Sequence, residues 1–353
     1  MKKYKICKIL LVILAIFLCV AFYELLGICV AYKKQPEVSN TTKKETKNGS
    51  WNECSENTER AVIIEKNPEA LLQRVRLIKN AKKEIILSTF AFQSDESGKL
   101  ILGALHDAAD RGVHIRLLVD GMESWIDMEG NPYFYGLSSH ENVEIKLYNK
   151  ANPLKPWKMM GRMHDKYLIA DGKRYILGGR NTYNYFLGDF PGHKNYDRDV
   201  LVVCDEPEKE NSVNQLLDYF ETIWNQEDSG YFHNNKKLAN RKSVKNAVLE
   251  LQNGYQKYFE ENKERICDTD YTDETFETEK IALVSNPIHT GSKEPVVWYQ
   301  LGELMKNAKE RVKIHTPYII CNDMMYNTWE EIAERVPDFS INVSYTHILD
   351  HYT

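Results

Sequence analysis

The chain has 353 residues, 42% of them hydrophobic, and a formal net charge of −5. That is enough apolar material for one large domain or two ordinary ones, and the acidic balance speaks against a generally basic nucleic-acid-binding surface. Seven scattered cysteines without CxxC spacing argue against a structural zinc site or a disulfide framework.

Lys2, Lys3, Lys5 and Lys8 lead into an apolar run, Ile9–Tyr32, interrupted by Glu24. The run is long enough to span a bilayer. Residues 1–34 therefore read as a transmembrane signal anchor, with a cleaved signal peptide as the rival reading. The leading lysines favour an inside N-terminus and an extracytoplasmic catalytic region, although Lys33, Lys34, Lys43, Lys44 and Lys47 on the other side weaken the bias. Residues 35–60 are polar and have little to bury, so they read as a linker.

Residues 61–230 read as an α/β lobe. Asn67-Pro68-Glu69 predicts a helix start with Asn67 as its cap, and Leu71, Leu72, Val75 and Ile78 supply an apolar face. Glu84–Phe92 predicts a buried strand, Gly98–Arg111 a second helix, and Val113–Asp120 and Val143–Tyr148 two further strands. Helix–strand alternation of this kind implies parallel strands in a sheet flanked by helices. Asn149–Arg162 is a basic loop carrying Trp157, which either gathers an anionic head group beside lipid or is simply a solvated loop. A strand is predicted at Met163–Ala170, followed by a tight turn at Asp171-Gly172. Residues two apart in a strand share a face, so His164 and Lys166 stand side by side: a nucleophile next to a fixed cation, suited to chemistry on a phosphate. Gly178-Gly179-Arg180-Asn181 ends the next strand. There the glycines either admit a ligand to the backbone or permit a turn, and Asn181 can donate to phosphate oxygens. Asp199, with Asp197 as substitute, is the candidate carboxylate to orient His164. Lys209–Asn225 predicts an amphipathic helix burying Phe220 and Trp224.

Residues 231–280 read as a helical and then acidic linker, and residues 281–353 as a second lobe. Ile78–Phe92 and Met305–Ile319 match in helix, strand and phase at an offset of 227. A helix at Thr328–Arg335 and a strand at Phe339–Val343 follow the pattern of the first copy. His164 lies 45 residues beyond Val119, whereas ten residues follow Val343, so the second copy carries no His-x-Lys-x4-Asp. The expectation is a C-terminally truncated second lobe.

The stretch HDKYLIADGKRYILGGRN, with Tyr185–Gly188 and Asp197-Arg198-Asp199-Val200, resembles the HxKxxxxD…G(S/G)xN signature of the phospholipase D superfamily, and most closely its bacterial cardiolipin synthase-like members. The resemblance covers residues 61–225 well and the remainder partly. It implies a phospholipase D-type mixed or parallel sheet with one complete lobe and a partial second one. It also implies a covalent phosphohistidine on His164, catalytic Lys166 and Asp171, substrate binding by Asn181 and Gly179, support from Asp199, and no metal or other cofactor. The expected partners are a phospholipid substrate, the bilayer and a possible second copy of the chain, with no nucleic acid. A catalytically inactive family member, or a homodimeric nuclease of the family, are the alternatives.

Overall fold

The computed structural model describes residues 2–49, 59–204, 206, 211–233 and 235–343. Cys54, the linker residues 50–58, the expected helix start at Lys209 and the tail 344–353 lie outside them. In chain order the elements begin with α1 (Lys2–Tyr32), α2 (Asn40–Asn48), β1 (Glu59–Ile64), α3 (Asn67–Asn80), β2 (Glu84–Thr89), α4 (Glu96–Asp110), β3 (His114–Asp120), α5 (Glu123–Met128) and α6 (Pro132–Ser138). They continue with β4 (Val143–Tyr148), β5 (Tyr167–Ala170), β6 (Arg174–Gly178), β7 (Asp199–Cys204), α7 (Ser212–Trp224), β8 (Ser229–Tyr231), α8 (Lys242–Glu261), α9 (Lys263–Cys267) and β9 (Phe276–Glu277). Last come α10 (Val296–Lys306), β10 (Arg311–Thr316), α11 (Asp323–Arg335) and β11 (Asp338–Val343).

The described residues fall into two compact units. The first takes in 1–34, 54–283 and 288–292. Its nine-stranded sheet runs β8-β4-β3-β2-β5-β6-β7-β1-β9. β2, β3 and β4 are parallel, as α/β alternation predicts, and every other neighbouring pair is antiparallel. The sheet is therefore mixed and flanked by helices, the fold class expected from the sequence.

Period-two alternation divides the strands between two cores. Ile85, Leu87, Ile115, Leu117, Leu168, Ile176, Leu201 and Val203 pack with the layer built from α3, α4, α6 and α8. Ile86, Leu118, Ile169, Tyr175 and Val202 face α7, whose Leu216, Phe220 and Ile223 are buried. α8 lies in the stretch read from sequence as a linker. Its Val244, Ala247, Leu251, Tyr255 and Phe259 form a buried stripe at helical spacing, so this helix is part of the core.

Two local expectations change. Asn67 is a helical residue rather than the cap, which is Lys66 without a side-chain bond. The Asn67 side chain is instead drawn toward Arg180, whose Nε donates to its Oδ1 at 3.2 Å. Residues 40–48, read as part of a polar linker, form α2, capped by Ser39 and closed by Gly49 at φ 73°.

The second unit comprises 35–53, 284–287 and 293–353. It repeats the α–β–α–β order of the first, with β10 and β11 parallel. β10 is β2 shifted by 227 positions at both ends, so the internal repeat read from sequence is a repeat of structure.

Candidate active site

Strand polarity gathers the candidate residues at one edge of the sheet. The parallel strands β2, β3 and β4 deliver Phe90, Asp120 and Asn149 to their carboxyl edge, the edge at which open α/β sheets bind ligands. β5 and β7 run the other way, so the residues entering them, His164, Lys166 and Asp197, arrive at the same edge. β6 runs with β2 and delivers Gly178–Asn181 there as it ends.

His164 and Lys166 sit in extended backbone just before β5, which begins at Tyr167 rather than Met163. The Gly178 N–H still donates to the Lys166 carbonyl at 3.1 Å, holding the register. On the α7 side of this segment Met163 is buried, and Tyr219 Oη donates to Asp165 Oδ2 at 2.7 Å. Those contacts fix the backbone and leave the alternate positions, His164 and Lys166, on the opposite face. Lys166 is buried and His164 is exposed. Lys166 Nζ donates to His164 Nδ1 at 3.0 Å and to the His164 carbonyl at 2.7 Å. The Phe90 ring lies 4.6 Å from the imidazole and 5.3 Å from Nζ. Next along from Phe90, the Ala91 N–H donates to Asn181 Oδ1 at 3.2 Å. One short segment after β2 thus brings His164, Lys166 and Asn181 together.

Partial desolvation of the ring, and then the neighbouring Lys166 cation, push the His164 imidazole below its ordinary value, with Asp120 opposing. Burial also lowers Lys166, to about 8, against the pull of Asp165 and Asp197. At neutral pH the imidazole is uncharged and the ammonium still holds its proton.

Asp120 is the site carboxylate that sequence reasoning passed over. It is fully buried. Its Oδ2 accepts the Met163 N–H at 3.0 Å, and its Oδ1 faces Arg162 at 3.1 Å while accepting the Met122 and Glu123 N–H groups. It ties the start of α5 to the residue before His164. Its place at the end of the strand VHIRLLVD was the available signal.

Asp199, proposed from sequence to orient His164, is placed elsewhere. Its carboxylate pairs with Arg74 at 2.9 Å and Arg180 at 3.2 Å, all three side chains being buried. Asp197, the substitute, lies near Lys166 and over Gly179. The two glycines take their meaning from these acids: a methyl group at Gly178 would collide with the Asp199 carboxylate, and one at Gly179 with that of Asp197. Neither glycine has positive φ, so neither is there to turn the chain.

Asp171 is also not brought to His164. Seven extended residues carry the chain about 23 Å, to the opposite edge of the sheet. There Asp171 and Gly172, at φ 56° and 62°, form the tight turn. The Asp171 carboxylate accepts the N–H groups of Lys82, Lys83 and Glu84 at 2.7–3.0 Å, pinning the turn to the start of β2. Its position in the molecule is that of a positioning residue. Asp171→Ala is expected to cost about 2 kcal/mol, from lost charge-assisted bonds and an alanine in left-handed backbone. Urea unfolding checks this, while turnover per folded molecule stays within about threefold.

Among the described residues no group of three or more His, Cys, Asp or Glu is arranged to hold a metal ion. The site as built offers an uncharged imidazole, a cation hydrogen-bonded to it and a buried amide.

The profile of the cardiolipin synthase phospholipase D-like domain matches residues 74–224. Cardiolipin synthase C of Escherichia coli is 30% identical over 154 residues, 40% of this chain and 31% of that protein. Cardiolipin synthase 1 of Staphylococcus aureus is 34% identical over 117 residues, 33% of this chain and 23% of that protein. The chain thus spans under two fifths of the length of such curated relatives. Among solved structures, phosphatidylserine synthase of Haemophilus influenzae shares the fold, with a TM-score of 0.54 at 15% identity, over 86% of this chain and 65% of that one.

Proposed function

Residues 74–224 put the chain in the phospholipase D superfamily, on its cardiolipin synthase-like side, and from this premise we propose a membrane-anchored phosphodiesterase or phosphatidyltransferase that acts through a phosphohistidine at His164. The observation that carries the reading is the His164 imidazole hydrogen-bonded to Lys166 Nζ, at the sheet edge where Asn181 is also fixed. The helix α1 supplies the anchor: Lys8–Tyr32 is long and apolar enough to cross a membrane. The substrate class is a phospholipid, in keeping with the synthases the chain resembles.

The chemistry follows from the geometry. While Lys166 donates to Nδ1, the neutral ring keeps its proton on Nε2 and has no free lone pair. An arriving phosphodiester offers Lys166 better acceptors in its anionic oxygens. As Nζ turns to them, the imidazole lone pair is released to attack phosphorus. A nitrogen–phosphorus bond forms, the phosphorus–oxygen bond to the head-group alcohol breaks, and that alcohol leaves with the electron pair and takes up a proton from solvent water. Water or a second alcohol then attacks phosphorus, gives up its proton, and regenerates the imidazole. Water yields phosphatidic acid, and an alcohol yields a new phosphatidyl ester.

The direct test is to mix the full chain in detergent micelles with acyl-labelled phosphatidylglycerol and quench with acid-free denaturant, since a phosphoramidate is acid-labile. Label on the His164 peptide, together with labelled phosphatidic acid or cardiolipin, is the expected result. Label on another residue sinks the proposed nucleophile. Absence of both adduct and product favours a catalytically inactive family member.

The two shifted groups also set a pH profile. Turnover needs His164 uncharged and Lys166 charged. It should therefore rise as pH passes upward through the depressed His164 value, below the ordinary 6.5, and fall as Lys166 loses its proton near 8. In Lys166→Met the alkaline limb should vanish. The acid limb should move upward, because the cation that depresses His164 is gone. An unchanged profile in that variant would detach both limbs from this pair.

A further inference from the structure

The last third of α1 does not stand clear of the first unit. Ala21, Glu24, Gly27, Ile28, Ala31 and Tyr32 are partly covered, at helical spacing. Tyr23 Oη donates to the Leu154 carbonyl at 3.0 Å, and a methyl group at Gly27 would meet the Pro156 ring at 2.5 Å. The loop that leads into His164 is thus packed against the membrane helix, within its apolar span.

Helix geometry turns this contact into a depth. The 25 residues Lys8–Tyr32 are about 37 Å long at 1.5 Å per residue, against a hydrocarbon core of about 30 Å. With the span centred, Gly27 lies about 4 Å and Tyr23 about 10 Å inside the hydrocarbon boundary. The loop residues packed on them share that level. Leu154, 78% exposed, has no protein cover there, and Trp157 and Met160 are exposed beside it. A second exposed apolar group lies on α5, with Ile126 also 78% exposed next to Trp125. Both segments are fastened to Asp120: α5 through the Met122 and Glu123 N–H groups, and the loop through Arg162. Gly121 also sits so close to the loop that a methyl group there would meet the Lys150 nitrogen at 2.8 Å. Lys155 in the loop, and Lys33 and Lys34 just beyond α1, are exposed cations on this side of the span.

We propose that the loop 154–160 and α5 form a wedge seated in the head-group and acyl boundary of an anionic bilayer, holding the His164 edge of the sheet at the level of lipid phosphates. The exposed apolar side chains enter the acyl region, the aromatic rings take the interface that Trp prefers, and the lysines meet the phosphates. The wedge explains why a loop and a short helix beside a phosphate-directed site carry uncovered leucine, isoleucine and tryptophan. Its role in turnover rests on the phosphodiesterase reading above, but its depth does not.

The full chain is incorporated into phosphatidylglycerol–phosphatidylcholine vesicles whose acyl chains carry bromine, a contact quencher of indole fluorescence. The expected result is strong quenching that falls by at least half in Trp125→Phe/Trp157→Phe. Equal quenching in parent and variant overturns the wedge. If the two tryptophans then shift to the blue with rising protein concentration in detergent, the face belongs between two copies instead. In a second arm, Leu154→Asp/Ile126→Asp is expected to lose at least tenfold in turnover of vesicle phosphatidylglycerol. Its turnover of a water-soluble phosphodiester, bis(p-nitrophenyl) phosphate, should stay within about twofold of the parent. Equal rates on vesicles would overturn the wedge's part in turnover. No turnover of either substrate by the parent chain would count against the phosphodiesterase reading, and quenching alone would then decide the wedge.

Discussion

His164→Ala is expected to lower phosphodiester turnover by at least about a thousandfold while changing stability by about 1 kcal/mol or less. The first figure follows from the proposed step: without the imidazole there is no lone pair to form the bond to phosphorus, and the residual rate is what Lys166 and Asn181 achieve by holding a phosphate for water. The second follows from the surroundings. His164 is exposed, and its side chain touches the Phe90 ring and Lys166 Nζ. When the ring is removed, Nζ keeps its bond to the residue-164 carbonyl, so the buried ammonium is not stripped of acceptors. The two measurements together make the prediction sharp. Turnover is compared at equal folded concentration, and unfolding is followed in the same detergent. A variant that is as stable as the parent and as fast would remove His164 from the mechanism. A variant that is slow because it is unfolded would show the packing argument to be wrong.

The elements were legible in the sequence where the governing interactions are local. β4 occupies the predicted Val143–Tyr148, because its alternation of apolar residues is a property of six neighbours. The turn at Asp171-Gly172 was equally legible, since it depends on two residues that tolerate left-handed backbone. The pairing of His164 with Lys166 needed only extended backbone, which the structure has although the strand proper begins later. Polarity across the sheet was the part that local reading could not supply. Asp171 is close to His164 in sequence and belongs to the same pattern, yet β5 carries it to the far edge. Phe90 and Asp120 are 74 and 44 positions from His164, and apart from the place of Asp120 at a strand end nothing in their own neighbourhoods marks them as its companions. Asp199 was found as a carboxylate entering a strand near the site, but its partners, Arg74 and Arg180, come from a distant helix and from the Gly-Gly-Arg-Asn turn. A buried ion pair between remote segments has no periodicity to betray it.

That ion pair carries the largest stability effect expected in the chain. Asp199 lies between two buried guanidinium groups. Arg180 is further held by the Asn67 side chain and by the carbonyls of Ile64, Glu65 and Asp197. Its guanidinium is lowered by burial first, and Asp199 opposes that effect. Removing the carboxylate in Asp199→Ala leaves two like charges facing each other out of water, an arrangement expected to cost about 3–5 kcal/mol. Asp199→Asn keeps the shape and one acceptor but not the charge, and should fall between alanine and the parent. For a unit of this size each kcal/mol moves the melting temperature by about 2–4 °C, so alanine should lower it by about 6–20 °C. The effect should also reach the site. Arg180 sits between Gly179 and Asn181, and Gly178 has no side chain because the Asp199 carboxylate occupies that space. Loosening Arg180 frees the amide of Asn181 from its place at the Ala91 N–H. Turnover per folded molecule should therefore drop as well, unlike in Asp171→Ala, where the damage is confined to the opposite edge. Adding salt to the parent should not imitate the variant, because a pair this deeply buried is little screened. A loss of less than about 1 kcal/mol in Asp199→Ala would mean that this knot does not hold β7, α3 and the Gly-Gly-Arg-Asn turn together, and the explanation of the two glycines would fall with it.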